Sequence, residues 1–86
     1  MFYVYLLKSL KDDHYYIGQT DNIKNRLDYH NQGRVKSTKN RTPFILIGTE
    51  EYQTRNESRW REYTLKSNTN ERKKFINKLS ASGPTG

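Results

Sequence analysis

A chain of 86 residues holds one domain and no second module, with a core that supplies only a few kcal/mol of net stability. Val, Leu, Ile and Phe make up just under a fifth of it, close to the composition of disordered chains, so seven tyrosines must help close the core with large rings whose hydroxyls stay wet. Sixteen Lys and Arg against nine Asp and Glu, a net charge of +7, favour a polyanionic partner, nucleic acid first, while the lack of cysteine excludes a disulfide framework and a thiolate zinc site.

Phe2 to Leu7 is an apolar run rich in strand formers and Tyr15 to Gly18 is a second; the polar string Ser9 to His14 between them predicts a β-hairpin. Thr20, Asp21 and Asn22 then offer helix caps, Ile23 and Leu27 are spaced for one face, and Gly33 is a natural stop, so a first helix spans about 22–32. Residues 33–42 carry Arg34, Lys36, Lys39 and Arg41 with no acid and little periodicity, a basic loop closed by Pro43. Phe44-Ile45-Leu46-Ile47 has the composition of a strand covered on both faces, and the expectation is that it forms the sheet centre or its best-covered strand. Thr54 and Glu57 have capping-box spacing for a second helix over about 55–67. Asn68 and Glu71 repeat the signal for a third helix, whose stripe is Phe75, Ile76 and Leu79 and which ends near Ser80. Residues 1–80 are the expected domain and 81–86 a disordered tail. No segment approaches the ~20 apolar residues needed to cross a bilayer, no charged leader precedes an apolar run, and no helix has a broad apolar face to lie on lipid. These features predict a cytoplasmic protein with no membrane partner.

Alternation places Tyr3, Tyr5 and Leu7 on one face of the first strand and Tyr16 and Gly18 together on the second, so Tyr5 and Tyr16 are able to meet across the hairpin. Taken singly, each tyrosine is a cross-strand packing partner, and Gly18 marks a place where another group comes close. Arg26 and His30, four apart, share a helix face beside the Ile23 and Leu27 stripe, which puts two phosphate-compatible groups at the rim of the core. Their plain readings are a surface cation and a C-terminal helix histidine favoured by the dipole. On the second helix Ser58, Glu62 and Leu65 fall on one side, and Leu65 is its only large aliphatic residue, so the core-facing side includes or borders Glu62. A carboxylate there needs a cation, either Arg or Lys or a divalent metal. Glu57 is explained as a cap.

In this order and spacing the residues resemble the GIY-YIG nuclease superfamily, in its small stand-alone form similar to the catalytic domain of the bacterial excision-repair nuclease. Tyr3-Val4-Tyr5 stands in the GIY place, Tyr16-Ile17-Gly18 is YIG, and Gln19-Thr20 precede the helix. Arg26 follows ten residues after the YIG tyrosine, then come His30-Asn31, and Arg61-Glu62 stand ahead of Leu65-Lys66-Ser67. The resemblance runs from Phe2 to about Leu79. It implies metal-dependent hydrolysis of phosphodiesters, with Glu62 holding one Mg²⁺ or Mn²⁺, Arg26 on a phosphate oxygen, Tyr5 or Tyr16 orienting or deprotonating water, and His30 supporting that water or the phosphate. Tyr3 replaces the glycine of GIY. Gln19 stands where the repair branch often has lysine, so that lysine's role does not carry over; Asn68 and Asn70 are candidates for a late asparagine.

The expected fold is α/β, a small, mainly antiparallel three-stranded sheet flanked by three helices, with the site on one sheet face. The expected function is an endonuclease acting on DNA in preference to RNA, with Arg34, Lys36, Lys39 and Arg41 giving sequence-independent, salt-sensitive affinity and a protein partner supplying targeting. The rival is a non-catalytic nucleic-acid-binding module with the same fold and basic surface. A protein-interaction domain would need an exposed Trp60, which is expected instead to pack on the third helix.

Overall fold

The computed structural model describes residues 1–81, and the part of the expected tail at 82–86 lies outside them. Three strands, β1 (Phe2–Ser9), β2 (Tyr15–Thr20) and β3 (Phe44–Tyr52), form an antiparallel sheet in the order β2-β1-β3. Helix α1 (Ile23–Asn31) follows β2; α2 (Arg55–Ser67) and α3 (Thr69–Ala81) follow β3. The α/β architecture is the one the sequence pattern predicts.

Strand β1 is central because its alternation buries both faces. Val4 and Leu6 point into a core completed by Ile17, by Leu65 of α2 and by Phe75 and Leu79 of α3. Tyr5 and Leu7 point the other way, against Phe44, with Tyr16 and the Ile23 and Leu27 stripe of α1 packed over them. Full burial of each such side chain contributes on the order of 1.5–3 kcal/mol, which explains why a chain with so few aliphatic residues folds around this one strand.

The expectation that β3 is the sheet centre or its best-covered strand is wrong on both counts. Among the described residues β3 pairs only with β1, a register shift falls opposite Leu6 and Leu7, and Ile45 and Leu46 are exposed although Phe44 is buried. An apolar run cannot distinguish a covered strand from an edge that lies beyond the reach of the helices. The helix ends are as the caps predict: Asn22 accepts from the Asn25 N–H, Gly33 takes a positive φ of 74° just past α1, Thr54 and Glu57 close a reciprocal capping box, and Asn68 accepts from the Glu71 N–H. Trp60 does not pack on α3. The inward side of α2 is made by Ser58 and Leu65, with Arg61 lying over the Phe75 ring, and Trp60 sits on the outward side, 69% exposed.

Residues 33–42 are more ordered than the loop expected there. A 3₁₀ turn, Lys39–Arg41, is fixed to the β1–β2 turn: the Ser9 hydroxyl donates to the Arg41 carbonyl at 2.6 Å, and Lys11 Nζ donates to the Asn40 carbonyl at 3.0 Å. Asn31 ties α1 to β3, accepting from the Phe44 N–H at 2.7 Å and donating to its carbonyl at 3.0 Å. Those two bonds set the height of α1 over the sheet.

Candidate active site

Cross-strand register brings the two tyrosines together: Tyr5 stands opposite Gly18 and Leu7 opposite Tyr16, so both rings lie on the α1 face, with centroids 6.4 Å apart. Gly18 is needed for this packing. A Cβ there would lie 2.5 Å from Tyr5 Cζ and closer still to its Oη, so the hydroxyl occupies the space a side chain would take.

Above the rings, α1 contributes Arg26 and His30. Arg26 Nε donates to Tyr5 Oη at 3.4 Å, Tyr5 Oη and His30 Nε2 are 2.9 Å apart, and His30 Nδ1 and Thr38 Oγ1 are 2.8 Å apart. Thr38 Oγ1 in turn donates to the Val35 carbonyl at 3.4 Å. One proton arrangement satisfies every partner in this series. Thr38 donates to Val35 and accepts from Nδ1–H; Nε2, left bare, accepts the Tyr5 proton; and Tyr5 Oη accepts from Arg26.

The electrostatics agree. Burial pushes the Tyr5 hydroxyl up to about 12, against a lowering by the hydrogen bond and charge of Arg26, so it holds its proton at neutral pH. Burial, and then the Arg26 charge, lower His30 to about 4, so its ring is neutral. The bond to Tyr5 raises Arg26 further above its ordinary range. The rim position expected for His30 is therefore incorrect. It is fully buried beneath Tyr5 and touches the edge of Tyr16, with centroids 5.0 Å apart, so it reaches neither solvent nor phosphate directly and carries no charge for the helix dipole to favour.

Glu62 comes from the opposite layer, since α2 packs on the Val4 and Leu6 face. The candidate residues therefore come from elements on both sides of the sheet, Arg26 and His30 from α1 and Glu62 from α2, instead of from one sheet face. Glu62 is partly exposed, and its charge contributes to raising Tyr5. Its cation in this structure is Lys66, whose Nζ lies 2.9 Å from the carboxylate and 5.3 Å from the Tyr16 ring centroid. Such an exposed i,i+4 pair contributes about 0–1 kcal/mol, so the carboxylate is readily released to another cation. Among the described residues no three His, Cys, Asp or Glu side chains converge. A metal here would have a single protein carboxylate, a hard donor suited to an ion that keeps several waters. Glu57 is occupied by the Thr54 cap.

Three residues of the site had weaker or no signals in the sequence. Lys66 was legible from its i,i+4 spacing to Glu62; Thr38 and Val35, which orient the imidazole, carry no motif. Of the basic loop, Arg34 lies over the Tyr29 ring at 5.3 Å, and Lys36 and Lys39 are exposed with no ion pair among the described residues. Arg41 corrects the expectation of a loop unopposed by acid. Its Nε is 2.8 Å from Asp12 Oδ2 and its guanidinium lies over Phe44, so it is fixed to the hairpin turn, where it holds the Asp12 carboxyl at about 2.

Comparison with known proteins agrees with this arrangement. The family model described as the GIY-YIG catalytic domain matches residues 1–76. A UPF0213 protein of Staphylococcus haemolyticus is 38% identical over 72 residues, covering 83% of this chain and 87% of the relative. A UPF0213 protein of Clostridium perfringens is 39% identical over 74 residues, covering 85% and 78%, and one of Haloquadratum walsbyi is 37% identical over 75 residues, covering 86% and 83%. No solved structure matches.

Proposed function

The chain belongs to the GIY-YIG catalytic-domain family, and from that premise we propose that residues 1–80 form a metal-dependent endonuclease that hydrolyses phosphodiester bonds in DNA, in preference to RNA. One observation carries the reading: a half-buried Arg26 without a carboxylate partner among the described residues donates to a tyrosine hydroxyl that lies 2.9 Å from Nε2 of a neutral, buried imidazole. A packing role for Tyr5 needs neither the cation nor the histidine.

In this mechanism Arg26 holds a non-bridging phosphate oxygen with the guanidinium N–H groups that Tyr5 does not use. Tyr5, whose ring is enclosed, would meet the attacking water at the edge of its hydroxyl that Arg26 also reaches; it takes that water's proton while passing its own to His30 Nε2, and Thr38 keeps Nδ1–H in place so that Nε2 stays an acceptor. The phenol near 12 and the imidazole near 4 do not exchange a proton at rest, so both transfers accompany formation of the P–O bond, when the attacking water becomes strongly acidic. Arg26 stabilises the negative charge that develops on phosphate and phenol together. Glu62, released from Lys66, would hold the Mg²⁺ or Mn²⁺, which supplies charge stabilisation at the leaving oxygen.

The test is nicking of supercoiled plasmid by the purified protein with Mg²⁺ or Mn²⁺ against EDTA, with DNA binding measured in parallel. Wild type nicks only with metal, and Arg26→Ala loses far more cleavage than binding, because the contact is strongest in the transition state. Binding without nicking in either ion would replace this reading with the non-catalytic nucleic-acid-binding module.

A further inference from the structure

The outward side of α2 carries two large aromatic side chains that the fold leaves uncovered. Trp60 is 69% and Tyr63 62% exposed, and their rings stack on each other with centroids 5.7 Å apart and 25° between planes. Helical spacing holds them three residues apart on neighbouring turns, so the pair is a preformed, solvent-exposed aromatic stack and not two independent side chains. It contributes nothing to the core, which α2 meets through Ser58 and Leu65. Asn56 and Arg59 border the rings, and Arg59 forms no ion pair among the described residues.

The surface adjoins the catalytic constellation. Tyr63 follows Glu62 directly, and Lys66, which holds the Glu62 carboxylate, is one turn along from Tyr63 on the same side of the helix. Going round α2 from Glu62, the side chains are Lys66 and Arg59, then Tyr63 and Asn56, then Trp60, with no acid among them.

We propose that Trp60 and Tyr63 form a nucleobase-stacking subsite, which takes an unpaired base of the DNA strand next to the scissile phosphate while Arg59 meets the adjoining backbone. The proposal rests on the nuclease reading for its substrate. Every base offers a π face to such a platform, and cations beside it complement the phosphates. Size and charge oppose the other occupants. A stable protein interface needs about 1,000 Å² or more, whereas two exposed side chains offer only a few hundred. A second copy would also bring another net charge of +7 to a cationic face.

Trp60 is the only tryptophan, so the full chain reports on its own subsite. Its fluorescence is titrated in EDTA with oligothymidylate and with an abasic oligodeoxynucleotide of the same length, while the anisotropy of a label on the DNA follows binding. Oligothymidylate should quench Trp60 to saturation and the abasic strand should not. Trp60→Ala and Tyr63→Ala should each weaken oligothymidylate binding about five- to a hundredfold, leaving abasic binding and thermal melting unchanged. Binding without quenching, or variants with wild-type affinity, would overturn the subsite; so would quenching that appears on raising protein concentration without DNA, which would assign the surface to a second copy. Plasmid nicking run in parallel separates the two ideas. Nicking with an unquenched Trp60 defeats the subsite alone, and quenching without nicking defeats the nuclease reading and, with it, the subsite's place beside a scissile phosphate, leaving base stacking by a non-catalytic nucleic-acid-binding module.

Discussion

Gly18→Ala alters the proposed base without removing any group that takes part in the chemistry. Gly18 does not adopt a positive φ, so alanine is allowed by the backbone, and the effect is one of volume. The new methyl would lie 2.5 Å from Tyr5 Cζ and 3.0 Å from Cε2, where ordinary contact begins near 3.4 Å, so the ring must retreat by about 1 Å. It has little room to do so, being 2% exposed and enclosed by Leu7, Phe44, Tyr16 and His30. Overpacking of this kind costs about 1–3 kcal/mol, and each kcal/mol lowers the melting temperature of a domain this size by about 4–8 °C. The same ~1 Å breaks the alignment of Arg26, Tyr5 and His30, and misplacement of that order slows a reaction about a hundredfold. The assay is single-turnover nicking at saturating metal, below the melting range of the variant. Gly48→Ala is the comparison, since its methyl would press on Leu79 at 3.1–3.3 Å, in the core of the opposite sheet face. It should destabilise without slowing the chemistry. A Gly18→Ala protein that is folded and cleaves at the wild-type rate would refute the assignment of the Tyr5 hydroxyl, as would two variants that slow only in proportion to their loss of stability.

Tyr5→Phe leaves His30 Nε2 buried without a donor, so it should cost about 1–3 kcal/mol of stability and about 10²–10⁴ in rate, whereas Tyr16→Phe should leave melting unchanged; a larger rate loss from Tyr16→Phe would move the base to that residue. Glu62→Gln should abolish cleavage and metal-induced stabilisation while changing apo stability by less than about 1 kcal/mol, because only an exposed pair is lost, and Glu57→Gln, which still caps, should be silent. The reverse pattern would show the metal ligand to be misassigned. His30 is neutral when folded down to about 4 but titrates near 6.5 when unfolded, so the unfolded chain binds more protons in that window; stability is full above about 6.5 and falls as the pH drops towards 4, and a His30 NMR titration midpoint near 6.5 in the folded protein would contradict it. Changing Arg34, Lys36 and Lys39 to Ser should flatten the dependence of DNA binding on log salt by up to about three units of slope, while Arg41→Ser, already paired with Asp12, should act mainly on stability; an unchanged slope in the triple variant would remove the loop from the DNA surface.

Local rules carried much of this protein. The hairpin, the capped starts of α1, α2 and α3 and the approach of Tyr5 to Tyr16 follow from alternation, capping chemistry and the period of a helix, all of which act over a few residues. The same rules separated Glu57 from Glu62, because a cap is recognised by its spacing from Thr54. They could not order the strands. Phe2–Leu7 and Phe44–Ile47 are equally apolar, and which became the centre depended on where three helices could pack, so β3 was left at an edge with Ile45 and Leu46 exposed. Nor could they reveal what His30 does. Helical spacing put it beside Arg26, but its burial, its neutral ring and its bond to Thr38 depend on how α1 sits over the sheet and on a loop that folds back under it. Burial depends on contacts between residues distant in the chain, and in this site burial determines which groups carry charge and where the proton on Tyr5 points.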